Sequence, residues 1–264
     1  MSRFPAPFSS LPPETARADR WVFNLQSCYL ALGDQLEDLV GDLDWDDLGR
    51  FGPTPVDSLF VQAMITIFQF SEDLADCEAA SAAGTRMDWK YALHLPVDYP
   101  GLAPGSLAEF RRHLEHDPAG RRMFQALLGR LARLGLLTEQ ADVDTILSTV
   151  DAVNCLKKVR EAIRLALGAL VSHYPDWQCT VEGRYWHQRY GPASSFLRVP
   201  HTQKGREALL KALETDLSML LAIVVEKDPA LLQWAEVHAL EQLWRHEFGS
   251  SKGILARTST LSGR

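Results

Sequence analysis

The sequence predicts an all-α protein, a multi-helix bundle with a helix-turn-helix-like segment. Apolar residues recur at spacings of three and four between residues 56 and 248, as they do on one face of a helix. Clusters of Pro and Gly interrupt this spacing, and no alternating apolar and polar pattern extends beyond a few residues. Of the 264 residues, 46% are hydrophobic and 23% are charged, a composition that excludes a disordered or collagen-like chain.

The first predicted elements lead up to an apolar run. Several prolines mark residues 1–50 as an irregular N-terminal arm followed by acidic helices. Val56–Phe70 is apolar nearly all round, which is typical of a central buried helix. Ser71 is then expected to cap a second helix, Glu72–Ala83, which ends near Gly84.

The later helices are predicted from capping and from spacing. Ser106 followed by Glu109 has the pattern of a capping box at the start of a helix over Leu107–Glu115. The same apolar spacing predicts four further helices: Arg121–Leu137, Val153–Val171, Glu207–Val225 and Pro229–Phe248. We expect six apolar side chains of the earlier helices to form one core: Phe68, Phe70, Leu74, Trp89, Leu93 and Phe110.

Cysteine use and hydropathy bear on the cellular compartment. The cysteines form no Cys-x-x-Cys pair, so we expect ordinary buried thiols rather than a zinc or redox motif: Cys28, Cys77, Cys155 and Cys179. The longest uncharged stretch, Ser58–Ser71, is shorter than the roughly 20 apolar residues that cross a bilayer. No apolar segment of the kind found in signal peptides follows Arg3. We therefore expect a cytoplasmic protein with no membrane partner.

The charge is unevenly distributed along the chain. The formal net charge is −7, but the first hundred residues carry −10 and the remainder carries +3. The sequence pI of about 5.6 argues against binding of a polyanion by the whole surface, and it leaves room for a local basic face. Six central arginines are candidates for such a face, or else they simply solvate the helix exteriors: Arg111, Arg112, Arg121, Arg122, Arg130 and Arg133.

Motifs that would identify an enzyme directly are absent from the sequence. It contains no Gly-rich phosphate loop, no Gly-x-Ser-x-Gly elbow and no His-Glu-x-x-His. His113 and His116 flank Glu115, but three such residues are typical of a solvated helix end. Asp142 and Asp144 taken alone indicate the start of a helix, where acidic residues favour the positive end of the dipole.

Several segments resemble a known family. They are Phe68–Ala80 (FQFSEDLADCEAA), Arg86–Leu93 (RMDWKYAL) and Ser106–Arg111 (SLAEFR), with the Pro100–Gly101 turn between the last two. In this order they resemble the N-terminal domain of InsH-type bacterial insertion-sequence transposases. Val153–Leu170 is similar to the long apolar helix that follows in that family. The resemblance assigns residues 51–137 to the N-terminal helical domain and 138–248 to the start and insertion of the catalytic region. Residues 249–264 lack helical periodicity, so we expect them to form a flexible tail.

The resemblance implies DNA transposition by a metal-dependent Asp-Asp-Glu centre that holds Mg²⁺. Alignment on Val153 places the first carboxylate at Asp142, with Asp144 as the alternative after a slip in register. The family's second Asp and its Glu lie beyond the part that this sequence resembles. We therefore expect a catalytically incomplete chain that binds no Mg²⁺ tightly, with Asp142 a metal ligand only if another region completes the site.

The resemblance also implies binding of double-stranded DNA at the transposon ends. The helix over Ser106–Glu115 is expected to act as the second helix of a helix-turn-helix pair and to enter the major groove. Arg111 and Arg112 are expected to point outward and, together with Lys90, to contact DNA. Further basic residues extend the expected face: Arg121, Arg122, Lys157, Lys158, Arg160 and Arg164.

Three alternatives remain open at this point. In the first, the chain is a helical protein–protein module that assembles or inhibits transposase subunits, with itself or the full-length transposase as its partner. In the second, it is a nuclease completed by another chain that supplies the missing carboxylates. In the third, it is an inert remnant of a transposase gene. A basic patch on the folded surface favours DNA, whereas an apolar patch favours assembly.

Overall fold

In the computed structural model the described residues are 11–22, 28–40, 59–135, 137, 141–191 and 199–248. Every regular element within these ranges is helical, so the predicted all-α, multi-helix fold is confirmed. The chain divides into two compact units, Met1–Asp151 and Ala152–Arg264. None of the described helices combines the length and the apolar character needed to cross a membrane.

The first unit contains eight described helices and the beginning of a ninth. They are α1 (Pro13–Val22), α2 (Cys28–Asp34), α3 (Leu36–Val40), α4 (Leu59–Glu72), α5 (Asp76–Thr85), α6 (Met87–Ala92), α7 (Pro104–His116), α8 (Pro118–Arg133) and α9 (Val143–His173). The second unit contains the rest of α9, α10 (Val181–Tyr190), α11 (Gln203–Lys227) and α12 (Ala235–Phe248). Short 3₁₀ helices over Pro175–Cys179 and Pro229–Gln233 precede α10 and α12.

Helix α4 is the centre of the first unit. Every residue from Leu59 to Gln69 is buried, as an apolar helix surrounded by other helices requires. The predicted core is confirmed: four of its side chains are buried in one cluster, and Phe70 and Leu74 pack against that cluster while partly buried. The α7 stripe of Leu107, Phe110 and Leu114 is buried in the same cluster.

Both predicted serine N-caps are wrong. Ser71 lies inside α4, where its hydroxyl donates to the carbonyl of Ile67 at 3.0 Å, a local bond that serine makes readily within a helix. The chain breaks instead at Asp73, whose φ of 53° lies in the left-handed region. Helix α7 begins at Pro104 rather than at a Ser106 capping box, because proline has the helical φ already fixed at a first turn.

The prediction of buried cysteines is also wrong. Cys28, Cys77 and Cys179 are exposed, and Cys155 is half-buried. The three exposed thiols lie at the ends of short elements, in the first turns of α2 and α5 and at the end of a 3₁₀ helix. These positions are outside the apolar stripes that face the core.

The Pro–Gly turn of the family-like region packs directly on α5. Gly101 has a φ of 90°, which glycine adopts without strain. An added Cβ on Gly84 of α5 would lie 2.7 Å from the carbonyl oxygen of Pro100. The two backbones therefore approach each other too closely for any side chain at this crossing.

Candidate nucleic-acid interface

Arg111 of α7 does not point outward, so that prediction is wrong. Only 6% of the residue is exposed. Its two terminal nitrogens donate to both oxygens of Asp76 at 2.8 and 2.9 Å, and its Nε donates to Asp151 at 2.9 Å. Arg111 follows the buried Phe110 by one position, at the edge of the buried stripe, and the two carboxylates hold it there.

Arg111 belongs to a hydrogen-bonded cluster that joins four helices of the first unit; its other members are Gln69, Asp76 and Asp151. Gln69 of α4 donates its Nε2 to Asp76 of α5 at 2.7 Å, so the Asp76 carboxylate bonds α4 and α7 side chains together. Asp151 brings in α9. Burial alone would lower the pKa of the Arg111 guanidinium, but the hydrogen bonds and charge of Asp76 outweigh it and raise that pKa. The cluster is a structural ion-pair network.

Lys90 of α6 is likewise directed into the fold. The residue is 3% exposed, and its Nζ donates to the carbonyl of Val97. Burial lowers the pKa of Lys90, against the opposing charge of Asp98. Its ammonium therefore fastens the turn after α6 and is not presented at the surface.

Three of the other predicted arginines differ in exposure and in ion pairing. The Arg112 side chain is 69% exposed, with Glu109 at 3.8 Å. Arg121 donates to Asp144 at 2.7 Å. Arg122 is exposed, and no carboxylate of the described part of the chain pairs with it. Of the first-unit arginines predicted to bind DNA, Arg112 and Arg122 are thus the most available.

The predicted basic residues of the second unit all lie on α9. Lys158 is exposed and donates to Glu247 of α12 at 3.3 Å. Lys157 and Arg160 are half-buried. Arg164 forms two hydrogen bonds with Glu161, one helical turn earlier, at 2.6 and 2.8 Å. Much of this positive charge is therefore balanced within the second unit.

Asp142, the predicted first carboxylate, caps α9. Its side chain accepts the backbone N–H of Thr145 at 2.7 Å, and this bond lowers the pKa of the Asp142 carboxyl. The alternative, Asp144, is the partner of Arg121. Within the described ranges, no three His, Cys, Asp or Glu side chains are grouped as metal ligands would be. Both carboxylates have local structural partners, as expected at a helix start.

The strongest basic feature among the described helices is α8, of whose arginines only Arg121 and Arg122 are among the predicted DNA contacts. Its 16 residues include four arginines and no Asp or Glu: Arg121, Arg122, Arg130 and Arg133. Every other described helix has a net charge of +1 or less, counting Lys and Arg against Asp and Glu. This feature can be found by counting charges within each predicted helix. The arginines Arg111 and Arg112 of α7 are balanced by Glu109 and Glu115, whereas the arginines of α8 are not balanced by any acidic residue of that helix.

Four exposed residues of α8, Arg122, Ala126, Gly129 and Arg133, form a stripe along its outer face, which we call the α8 stripe. The exposed Gln125 lies beside the stripe, and its side chain accepts the backbone N–H of Val143 at 3.3 Å. Their spacing of four, three and four places them within a narrow arc, since successive residues turn by about 100°. The opposite face is buried: Gly120, Met123, Phe124, Leu127, Leu128 and Leu131.

The two remaining arginines of α8 are tied to neighbouring helices on either side of the stripe. Arg130 donates to the carbonyl of Leu39 in α3 at 2.7 Å, and Arg121 pairs with Asp144 in α9. Exposed acidic residues occur on the same neighbours, Glu37 and Asp38 on α3. The positive charge is therefore least opposed along the α8 stripe itself.

Comparison with known proteins gives no match. No protein-family model, curated protein or solved structure matches this chain.

Proposed function

We propose that this chain is the N-terminal portion of an InsH-type insertion-sequence transposase and that it binds duplex DNA, at the ends of the element, through α8. The transposase identity rests on the sequence resemblance alone. The observation that carries the DNA binding is the charge of α8, four arginines without an acidic residue. It stands out because the first hundred residues, most of the same unit, carry −10.

The charge distribution restricts which surface duplex DNA can contact. Proteins neutralise DNA phosphates with Lys and Arg, and the released counterions supply much of the affinity. An acidic surface repels the same phosphates. A basic helix in an otherwise acidic unit therefore favours DNA binding at that helix rather than a general attraction of DNA to the whole surface.

In this proposal, α8 makes the main DNA contacts that the sequence predicted for α7. Arg111 already satisfies Asp76 and Asp151, and Arg112 is the only other Lys or Arg on α7. Helix α8 follows α7 after the single residue Asp117, whose carboxylate caps it through the N–H groups of Ala119 and Gly120. Arg112 then supplements the α8 contacts with the sugar-phosphate backbone.

The proposed function is DNA binding without phosphodiester cleavage by this chain alone. Cleavage by the family's mechanism needs several converging carboxylates with Mg²⁺. In the structure, Asp142 caps α9 and Asp144 pairs with Arg121.

The test is binding of the full chain to fluorescent duplexes over a range of salt concentrations. We expect measurable binding at low salt that weakens as salt rises. Arg122→Ala should reduce the slope of log K against log salt by about one, because it removes one phosphate contact. The matched control is Arg245→Ala on α12, which removes an arginine that is 70% exposed and pairs with Glu241. Absence of binding to any duplex at low salt, terminal repeats included, contradicts the proposal.

A second candidate function is a helical module for subunit assembly. It is favoured by Leu165 on α9 and Met219 on α11, each 46% exposed, which are the most exposed large apolar side chains in the described part of the chain. Isolated apolar side chains of this kind occur on many surfaces, so the observation weighs less than the charge of α8. Sedimentation velocity of the wild type and of Leu165→Gln tests it. Assembly that Leu165→Gln weakens favours this function, and a concentration-independent monomer excludes self-assembly.

A further inference from the structure

We infer that one phosphodiester strand of duplex DNA crosses α8 at Ala126 and Gly129, between Arg122 and Arg133. The inference rests on the proposed DNA binding and specifies how α8 makes its contact. It assigns α8 a positioning role on the sugar-phosphate backbone, where contacts carry no direct sequence information.

The direction of the stripe is the first support. Arg122, Ala126, Gly129 and Arg133 lie opposite the buried residues of α8, so the stripe faces away from the core. The stripe is therefore accessible along three turns. A strand that meets α8 from outside therefore contacts this stripe.

The two terminal arginines supply the charge complementarity. Arg122 and Arg133 are exposed, and among the described residues no carboxylate forms an ion pair with either of them. Their Cα atoms are separated by about 16 Å along the axis, at 1.5 Å per residue. A strand that crosses midway lies about 8 Å along the axis from each Cα, so the two long side chains can extend towards it from opposite sides.

The middle of the stripe allows a close approach. A Cβ added to Gly129 would meet no atom within 4 Å, so nothing inside the protein requires glycine at this position. Glycine inside a helix lowers its stability relative to alanine. Gly129 lets another molecule's backbone approach the helix closely. Gly168 of α9 has the same open space, so the flanking Arg122 and Arg133 are what assign the approach to Gly129. Ala126, one turn away on the same arc, also has a small side chain that leaves room for a close approach.

The bonds of Arg121 and Arg130 limit the orientation of the strand. Arg130 is fastened towards α3, whose Glu37 and Asp38 are exposed, and Arg121 is fastened towards Asp144 of α9. These carboxylates flank α8 and repel phosphates that come too near to them. The occupant that fits between the two terminal arginines is a narrow polyanionic strand.

The test uses Gly129→Gln, which adds bulk without changing the charge. The side chain has open space, so the fold should be retained, and circular dichroism with thermal unfolding checks this. A strand lifted from the stripe loses contact with the two arginines, so we expect about tenfold weaker binding and a smaller salt slope on every duplex, whatever its sequence. Gly168→Gln on α9 is the matched control, since Gly168 is also exposed in open space, and it should bind like the wild type.

The possible outcomes separate this inference from the proposed function. If the wild type binds duplexes and Arg122→Ala weakens binding while Gly129→Gln does not, DNA binding stands and the crossing at Gly129 is wrong. If Gly129→Gln weakens binding to one sequence only, α8 reads bases and the backbone role is wrong. If the wild type binds no duplex but binds an acidic peptide that Gly129→Gln blocks, both the DNA binding and the crossing are wrong.

Discussion

Substitution by alanine should destabilise the fold at one of two adjacent arginines on α7 and leave it almost unchanged at the other. Arg111→Ala removes a side chain that is 7% exposed and that bonds Asp76 and Asp151. Arg112→Ala removes one that is 69% exposed and whose nearest carboxylate oxygen is 3.8 Å away. The pair shares one helix and one residue type, so a difference between the two variants reports burial and bonding alone.

The magnitude for Arg111→Ala follows from what is left behind. Removing one member of a buried ion pair costs about 3–5 kcal/mol, because the other charge remains buried without a partner. The Asp76 side chain is 18% exposed and loses two hydrogen bonds, whereas Asp151 is 55% exposed and regains water. We therefore expect the lower end, about 3 kcal/mol. Arg112→Ala should change the free energy of unfolding by less than about 0.5 kcal/mol, as exposed substitutions usually do.

The assay is urea unfolding of the full chain, followed by circular dichroism and by tryptophan fluorescence. Because the chain has two compact units, agreement of the two probes shows whether one transition describes the unfolding. A double-mutant cycle with Asp76→Ala isolates the coupling between Asp76 and Arg111, and we expect it to exceed about 1 kcal/mol. Equal, small changes in the free energy of unfolding for the two arginine substitutions would show that the ion pairs of Arg111 do not stabilise the first unit.

Three further changes test the fold and the carboxylates. Phe110→Ala should cost about 3–5 kcal/mol in thermal or urea unfolding, because this 2% exposed ring packs edge-on against Phe124, and a loss below about 1 kcal/mol would place α7 at the periphery. Gly84→Ala should destabilise the first unit because its Cβ would meet the Pro100 carbonyl at 2.7 Å, whereas Gly105→Ala on α7 has open space and should not. Millimolar Mg²⁺ should leave the thermal midpoint unchanged, and a rise abolished by Asp142→Asn would contradict the view that Asp142 only caps α9.

The periodic helices could be predicted from the sequence because their apolar residues face one core. Val56–Phe70 has too many apolar residues for any surface helix, and the structure buries α4 on all sides. The stripe of Leu107, Phe110 and Leu114 likewise fixed which side of α7 faces inward. Where burial decides the structure, composition and spacing are sufficient.

The helix ends could not be predicted as well, because several local signals compete there. Ser71 and Ser106 both suit an N-cap, but the apolar run of α4 continues past Ser71 and Pro104 starts α7 earlier. The choice depends on where the chain turns, at Asp73 for example, and this is set by packing between helices. Local capping preferences are worth only about 1 kcal/mol, less than such packing.

The candidate site was predicted in part. Charge alone could not distinguish Arg111 from Arg112, because the partners of Arg111 are 35 and 40 residues distant along the chain. The basic stripe of α8 was within reach of the sequence, since its spacing and its lack of acids are local properties. Long-range ion pairs are the part that only the folded structure supplies.

The most direct test of the account compares salt slopes for DNA binding between two helices. The full chain is titrated with one duplex as the wild type, as Arg122→Ala with Arg133→Ala, and as Arg112→Ala. If α8 is the docking face, the double variant should lower the slope by about two and Arg112→Ala by no more than about one. Equal slopes for the wild type and the double variant, or a larger loss from Arg112→Ala, would contradict the assignment of α8 as the face that holds DNA.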